Sequence, residues 1–215
     1  MIAVLVVDDD PLVRIGLRAI LDAEPDLEVV GEAQDGTEVA DRVRALGPDI
    51  VLMDVRMPDM DGIAATRELL TALPQPPKVI VITTFENDSY VYDALRVGAA
   101  GFLLKRARPA EIVQAVRTVA AGDSLLFPDA IRALVAARAE PANSALAHVK
   151  LTEREAEVLR AMARGQTNAE IGASLFLGVE TVKTHVGNVL MKLRARDRTQ
   201  AVILAYESGF IAPGR

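Results

Sequence analysis

The 215-residue chain is predicted to form a doubly wound α/β domain with a five-stranded parallel sheet, followed by a second, smaller all-α domain. Three observations predict this. Over the first 122 residues short apolar runs alternate with amphipathic segments, the pattern of a parallel sheet with helices on both faces. From Leu151 onward the period is helical throughout. The charge also divides: residues 1–149 carry 14 Lys+Arg against 23 Asp+Glu (−9), whereas residues 150–215 carry 10 against 7 (+3). Such asymmetry points to two modules with different partners.

Taken in order, IAVLVV (2–7) is the first strand. Asp10-Pro11 then reads as an N-cap with Pro at the first helical position of a helix over 11–23. LEVVGEA (27–33) and a helix over 36–46 follow, then DIVLMD (49–54) and a helix over 61–73. KVIVITT (78–84) precedes a helix over 88–97, and GFLLK (101–105) precedes a helix over 109–121 that Pro109 opens. Strand–helix alternation of this kind builds a parallel sheet. Residues 123–147 break the pattern: GDSLLFPDA reads as a loop, IRALVAARA as a short helix and EPANSALAH as a linker. The expected boundaries are therefore 1–122, 123–147 and 148–215. In the last segment Thr152-x-x-Glu155, Thr167-x-x-Glu170 and Asp197-x-x-Gln200 have capping-box spacing and open helices near 153, 168 and 198. Another helix spans about 179–194. Four helices with short turns, two joined by a tight one, resemble a helix-turn-helix unit.

Composition narrows the possibilities. There is no Cys, which excludes a disulfide scaffold and thiolate metal sites and fits a reducing cytosol. The start, MIAVLVVDDD, has no basic region and no cleavage pattern and is not read as a signal peptide. No apolar window of about 18 residues occurs, so no membrane span or membrane partner is expected. The expected location is the cytoplasm.

In a right-handed parallel sheet every strand ends at the same edge, where open α/β sheets carry ligands. Asp8 and Asp9 follow the first strand; Asp54, Thr83 and Lys105 end the third, fourth and fifth. The buried run Ile50-Val51-Leu52-Met53 thus delivers a carboxylate to the rim. Three crowded carboxylates repel and call for a positive charge. A hard divalent cation such as Mg²⁺, bound by one or two carboxylates together with water and phosphate oxygens, suits the set. Asp54 can then act as a nucleophile toward phosphorus, with Thr83 as a hydroxyl donor and Lys105 neutralising equatorial oxygens. The plainer alternative is that the aspartates cap the next helix and Lys105 is a surface charge. For Asp10 the capping role is preferred.

VLVVDDDPLVR, VLMDVRMPDMDG, VITTF and GAAGFLLK together resemble the receiver domain of bacterial response regulators, over about residues 1–122. The resemblance implies a flavodoxin-like fold with Asp54 as the phosphoacceptor. It makes Asp9 a direct Mg²⁺ ligand and Asp8 an outer one, with Asp54 and the backbone carbonyl of Arg56 completing the set, and it has Thr83 and Lys105 contact the phosphoryl group. Phe102 falls at the aromatic switch position, where many relatives have Tyr. A phenyl ring lacks the hydroxyl, and core packing would equally explain it.

In VETVKTHVGNVLMKL (179–193), Val182, Val186, Val189, Leu190 and Leu193 form one apolar stripe. The opposite face carries Lys183, Thr184, Gly187, Asn188 and Met191, with Thr181, His185 and Lys192 on the flanks. Such a helix can enter a major groove of double-stranded DNA, and Arg194, Arg196 and Arg198 beyond it could hold phosphates. A solvated face is the plainer alternative. The segment LTEREAEVLRAMARGQTNAEIGASLFLGVETVKTHVGNVLMKLRARDRTQAV resembles the LuxR-type helix-turn-helix of the NarL/FixJ response regulators. That likeness implies groove contacts by Lys183 and Thr184, nearby roles for His185 and Asn188, and a dimer face at Val202, Leu204 and Ala205. Two departures stand out. Gly187 replaces a larger side chain and costs about 0.5–1 kcal/mol relative to Ala in a helix. Gly178 replaces a capping Ser at a cost of a few tenths of a kcal/mol.

The expectation is a two-domain response regulator. A cognate histidine kinase phosphorylates Asp54, and the protein then switches to a homodimer that binds DNA. Two alternatives compete: a Mg²⁺-dependent phosphotransfer enzyme that turns over a small substrate, and a constitutive DNA binder whose receiver only dimerises. Val55-Arg56 after Asp54 places no second acid two residues on, which disfavours the enzyme.

Overall fold

The computed structural model describes residues 1–84, 88–122 and 149–211, apart from the side chains of residues 88, 89 and 91. It separates into two compact units, Met1–Ala121 and Gly122–Arg215. The linker and short helix expected over 123–147 lie outside the described residues.

The first unit runs β1 (Ile2–Val7), α1 (Pro11–Asp22), β2 (Leu27–Ala33), α2 (Val39–Leu46), β3 (Ile50–Asp54), α3 (Gly62–Ala72), β4 (Lys78–Thr83), α4 (Asp88–Val97), β5 (Gly101–Leu104) and α5 (Pro109–Ala120). The strands are all parallel, in the order β2-β1-β3-β4-β5. The order reverses beside β1, so β1 and β3 lie in the middle and their carboxyl ends flank the crevice of a doubly wound sheet. Burial follows position. Val4–Val7, Ile50–Asp54 and Val79–Thr83 are buried without a break because helices cover both faces, while edge strand β2 mixes buried and exposed residues. Asp10 caps α1 by accepting from the Leu12 amide at 2.8 Å, with Pro11 at the first helical position.

One boundary differs from the pattern. The helix expected over 36–46 begins as a 3-10 turn, Gly36–Glu38, before α2. The cause is Asp35, whose carboxylate accepts from the Thr37 amide at 2.9 Å and tightens the first turn.

In the second unit α6 (Glu153–Ala163), α7 (Asn168–Leu175), α8 (Val179–Leu193) and α9 (Arg198–Glu207) follow one another with short turns. Reciprocal capping boxes open α6 at Thr152/Glu155 and α7 at Thr167/Glu170. At α9 only half a box forms: Asp197 accepts from the Gln200 amide, but Gln200 turns back one residue further, to the Arg196 amide. Gly178 precedes α8 without a side-chain cap. The core joins Val158, Leu159 and Met162 of α6, Ile171 of α7, and Val182, Val186, Val189 and Leu193 of α8. The tight turn from α7 to α8 needs a glycine, because a Cβ on Gly172 would stand 2.8 Å from the Leu177 carbonyl oxygen. Among the described residues no helix is long and apolar enough to cross a membrane.

Two glycines of the first unit make opposite predictions. A Cβ on Gly62 would lie 1.9 Å from the Asp54 carbonyl oxygen, whereas on Gly16 of α1 it would meet nothing within 4 Å. Gly62→Ala should therefore cost at least about 2 kcal/mol through overpacking. Gly16→Ala should gain about 0.5–1 kcal/mol from helix propensity. Urea unfolding of both variants, followed by far-ultraviolet circular dichroism, checks the two signs.

Candidate functional site

Sheet polarity places the functional groups. Val7 pairs with Met53, Asp54 with Ile82 and Thr83 with Leu104. Asp8, Asp54, Thr83 and Lys105 therefore end or follow their strands at one level of the same edge. The Lys105 amide donates to the Thr83 carbonyl at 2.8 Å, tying the last two together. Asp8 and Asp54 are 1% and 5% exposed, while Asp9 faces solvent. Each of the three aspartates offers a carboxylate oxygen, and these atoms all lie within 4.8 Å of one another. A set of hard oxygen donors without sulfur or imidazole fits a hard divalent cation. Around it, Asp10 donates its amide to Asp8 Oδ1 at 3.0 Å, and the Arg14 guanidinium donates to the Asp8 carbonyl at 2.6 Å.

Lys105 supplies the counter-charge. Its Nζ lies 2.7 Å from Asp8 Oδ2 and 3.2 Å from Asp54 Oδ2, with the side chain only 15% exposed. Burial pushes the Asp54 carboxyl up to about 6; the Lys105 charge draws it down and the Asp8 charge adds to the rise. Burial also works against the Lys105 charge, but its hydrogen bond to Asp8 and the charges of Asp54 and Asp8 outweigh this and raise its pKa. The rim thus holds a carboxylate that is costly to ionise and a cation held within reach of it.

The loop after Asp54 is shaped from several sides. The Gly62 amide donates to the Val55 carbonyl at 2.9 Å, and the Arg56 guanidinium stands 5.3 Å from the centre of the Tyr90 ring on α4. Phe102 in β5 is half-buried. Sequence patterning does not single out Asp35. Its carboxylate accepts from the amides of Asp59 and Met60, at 3.0 and 3.4 Å, as well as from Thr37. The only signal for it is an Asp-Gly pair, Asp35-Gly36, just past β2 on the functional edge.

In the helical unit Thr181, Lys183 and Thr184 are exposed on α8, together with Gly187 and Met191. His185 and Asn188 are half-buried. Lys183 pairs with Glu180 at 2.8 Å, both well exposed, and the Thr184 hydroxyl donates to the Glu180 carbonyl. Other residues of this unit have internal partners. Lys192, on the flank of α8, has its Nζ 2.6 Å from Glu155 Oε2, a carboxylate 5% exposed that would be costly to leave unpaired. Arg198 is not a phosphate-facing cation. It is 4% exposed and donates to Asn168 Oδ1 and the Gln166 carbonyl. Of the expected dimer face, Val202 and Ala205 are buried within this unit and Leu204 is partly exposed, because α9 is buried on most of its faces, Arg198 and Thr199 included.

An acidic rim with an adjacent lysine at the carboxyl edge of a five-stranded parallel sheet, joined to a capped four-helix unit with a tight turn, defines a receiver-plus-helix-turn-helix architecture. Comparison with known proteins agrees. Residues 4–117 match the response regulator receiver domain, and residues 149–205 match the luxR family of bacterial regulatory proteins. The transcriptional regulatory protein LiaR of Bacillus subtilis (strain 168) is 43% identical over 211 residues, covering 98% of this chain and 100% of that protein. The response regulator protein VraR of Staphylococcus aureus is 42% identical over 210 residues, covering 98% and 99%. Among solved structures, the response regulator ChrA of a heme-sensing two-component system is 36% identical with a TM-score of 0.53, covering 98% of each chain. The signal receiver domain of a NarL response regulator from Mycobacterium tuberculosis is 40% identical with a TM-score of 0.54, covering 56% of this chain and 97% of that one. The chain belongs to the family of two-component response regulators that join a receiver domain to a LuxR-type DNA-binding domain and control transcription.

The raised Asp54 pKa carries a stability consequence. In the unfolded chain the carboxyl titrates near its ordinary value of about 4, and in the folded protein at about 6. The folded state therefore binds more protons between these values, and stability falls as pH rises through that window. In the presence of a chelator, Asp54→Asn should be more stable than the wild type above pH ~6, by on the order of 2 kcal/mol. The advantage should vanish below pH ~4. Thermal unfolding of both proteins across that range measures it.

Proposed function

We propose that Asp54 is the phosphoacceptor of a phosphorylation-gated transcription regulator. The observation that carries this reading is the convergence of Asp8, Asp9, Asp54, Thr83 and Lys105 on one edge of the sheet. Asp8, Asp9, Asp54 and the backbone carbonyl of Arg56 are the groups that would hold Mg²⁺. When bound, the ion supplies positive charge against the equatorial oxygens of a phosphoryl group in transfer.

The chain's own residues do the rest. Asp54 Oδ attacks phosphorus in line, forming an O–P bond as the N–P bond to the histidine of a cognate kinase breaks and the imidazole leaves. Lys105, already 3.2 Å from Asp54, follows the new charge onto a phosphoryl oxygen. The Thr83 hydroxyl, at the end of the adjacent strand, donates to another. Rearrangement there moves Thr83 and lets Phe102 reposition, which biases two pre-existing states of the domain. Hydrolysis of the acyl phosphate resets the switch; no small substrate is turned over.

The output is DNA binding. Thr181, Lys183, Thr184, His185 and Asn188 present polar groups from α8 to a major groove of double-stranded DNA, and Lys192 braces that helix through Glu155. An exposed pair such as Lys183–Glu180 is worth little in water, so Lys183 can exchange its carboxylate for a phosphate. Two copies, joined as a homodimer when phosphorylated, would read paired half-sites. The protein acts in the cytoplasm and has no membrane partner.

Fluorescence anisotropy on a duplex from the region upstream of its own gene tests the gating. Acetyl phosphate with Mg²⁺ should tighten binding of the wild type about tenfold, a coupling within the usual 1–3 kcal/mol, and should leave Asp54→Asn unchanged. Equal affinity with and without the donor would contradict the switch. In the same assay Lys183→Ala should reduce the slope of log affinity against log salt by about 1.

A further inference from the structure

We propose that Asp35 is a positioning residue for the metal and phosphoryl site: its carboxylate sets the loop that follows Asp54. This rests on the reading of Asp54 given above and extends it to a residue on a different strand connection.

The carboxylate is 7% exposed and its two oxygens do separate things. Oδ1 accepts from the Thr37 amide at 2.9 Å and the Thr37 hydroxyl at 2.8 Å, which caps the 3-10 turn. Capping needs nothing more. Oδ2 instead reaches 24 residues along the chain, to the Asp59 amide at 3.0 Å, and also accepts from the Met60 amide at 3.4 Å. Burial disfavours the charge, but these donors outweigh it and hold the carboxyl below its ordinary range. Four donors on one carboxylate make a strong clamp, since charge-assisted bonds are about twice as strong as neutral ones.

What the clamp holds is the segment from Val55 to Asp61. Its base is closed by the Gly62 amide on the Val55 carbonyl, and Gly62 packs against the Asp54 backbone so closely that no Cβ would fit. Its far side is pinned by Asp35. Between the two pins lie Arg56, whose carbonyl belongs to the proposed ligand set, and the turn at Pro58. Gly36 strengthens the seam, because a Cβ there would stand 2.5 Å from the Met60 carbonyl oxygen. The loop is therefore fixed at both ends, with the carbonyl of Arg56 between the two pins. Groups that orient ligands from behind in this way typically change metal affinity 10–100-fold when altered.

Asp35→Asn is nearly isosteric and keeps an acceptor for Thr37, but sets an NH₂ against two backbone N–H donors. On the full-length chain, at a temperature where both proteins are folded by circular dichroism, calorimetric titration with Mg²⁺ should give a Kd about tenfold weaker for Asp35→Asn. Asp59→Ala, which keeps the backbone amide, should bind like the wild type. In the wild type the amide resonances of Asp59 and Met60 should shift on adding Mg²⁺, a readout that does not depend on any variant folding. An unchanged Mg²⁺ Kd in Asp35→Asn alongside a lowered Tm makes Asp35 a structural brace only and overturns the inference. Wild-type Asp59 and Met60 amides that ignore Mg²⁺ while Asp8 and Asp9 respond overturn it as well. A wild-type chain that binds no Mg²⁺ at all overturns the proposed site together with the inference.

Discussion

The Lys105 ammonium, 2.7 Å from Asp8 and 3.2 Å from Asp54, is the interaction on which the receiver unit turns. Two buried carboxylates at the end of adjacent central strands repel each other strongly, because solvent no longer screens them. One cation just past β5, two strands from β3, more than offsets the Asp8 charge at Asp54, and burial is what keeps the Asp54 carboxyl raised. The rim is therefore held under electrostatic load. Groups that add positive charge, or that redistribute the negative charge toward Lys105, relieve it. On the proposed reading, a phosphoryl group on Asp54 would draw on that load at the edge where the loops after β1 and β3 begin.

The rest of the unit serves that geometry. Continuous burial of β1, β3 and β4 fixes the height of the strand ends. Gly62 lets α3 start against the Asp54 backbone. Asp35 stitches the β2 connection to the loop beyond β3. In the helical unit the same logic supports α8: Glu155 both caps α6 and receives Lys192, so one buried carboxylate ties the start of one helix to the end of another.

Much of this was legible in the sequence, for identifiable reasons. Apolar runs such as IVLM and VIVIT signal central parallel strands, because both faces are covered. Once a parallel sheet is inferred, topology alone gathers Asp8, Asp54, Thr83 and Lys105 at one edge. Capping boxes located the starts of α6 and α7 because they are local, three residues apart. What was not legible depends on partners distant in the chain. Asp35 is not legible in the sequence, since its distant partners are the backbone amides of residues 59 and 60, and backbone donors leave no mark in composition. Arg198 and Lys192 have the pattern of solvent-facing cations, because their partners Asn168, Gln166 and Glu155 lie about 30 or more residues away in the chain. For Val202 and Ala205 periodicity cannot tell an interface from a core, because apolar residues from Ala201 to Tyr206 run without a polar break.

The central claim is that Asp54 takes phosphorus, and borohydride trapping tests it most directly. The full-length protein would be incubated with acetyl phosphate and Mg²⁺, reduced with borohydride and mapped by peptide mass spectrometry. Reduction of an aspartyl phosphate leaves homoserine, and this account predicts homoserine at position 54. Unreduced Asp54, or homoserine at Asp8, Asp9 or elsewhere in its place, would contradict it.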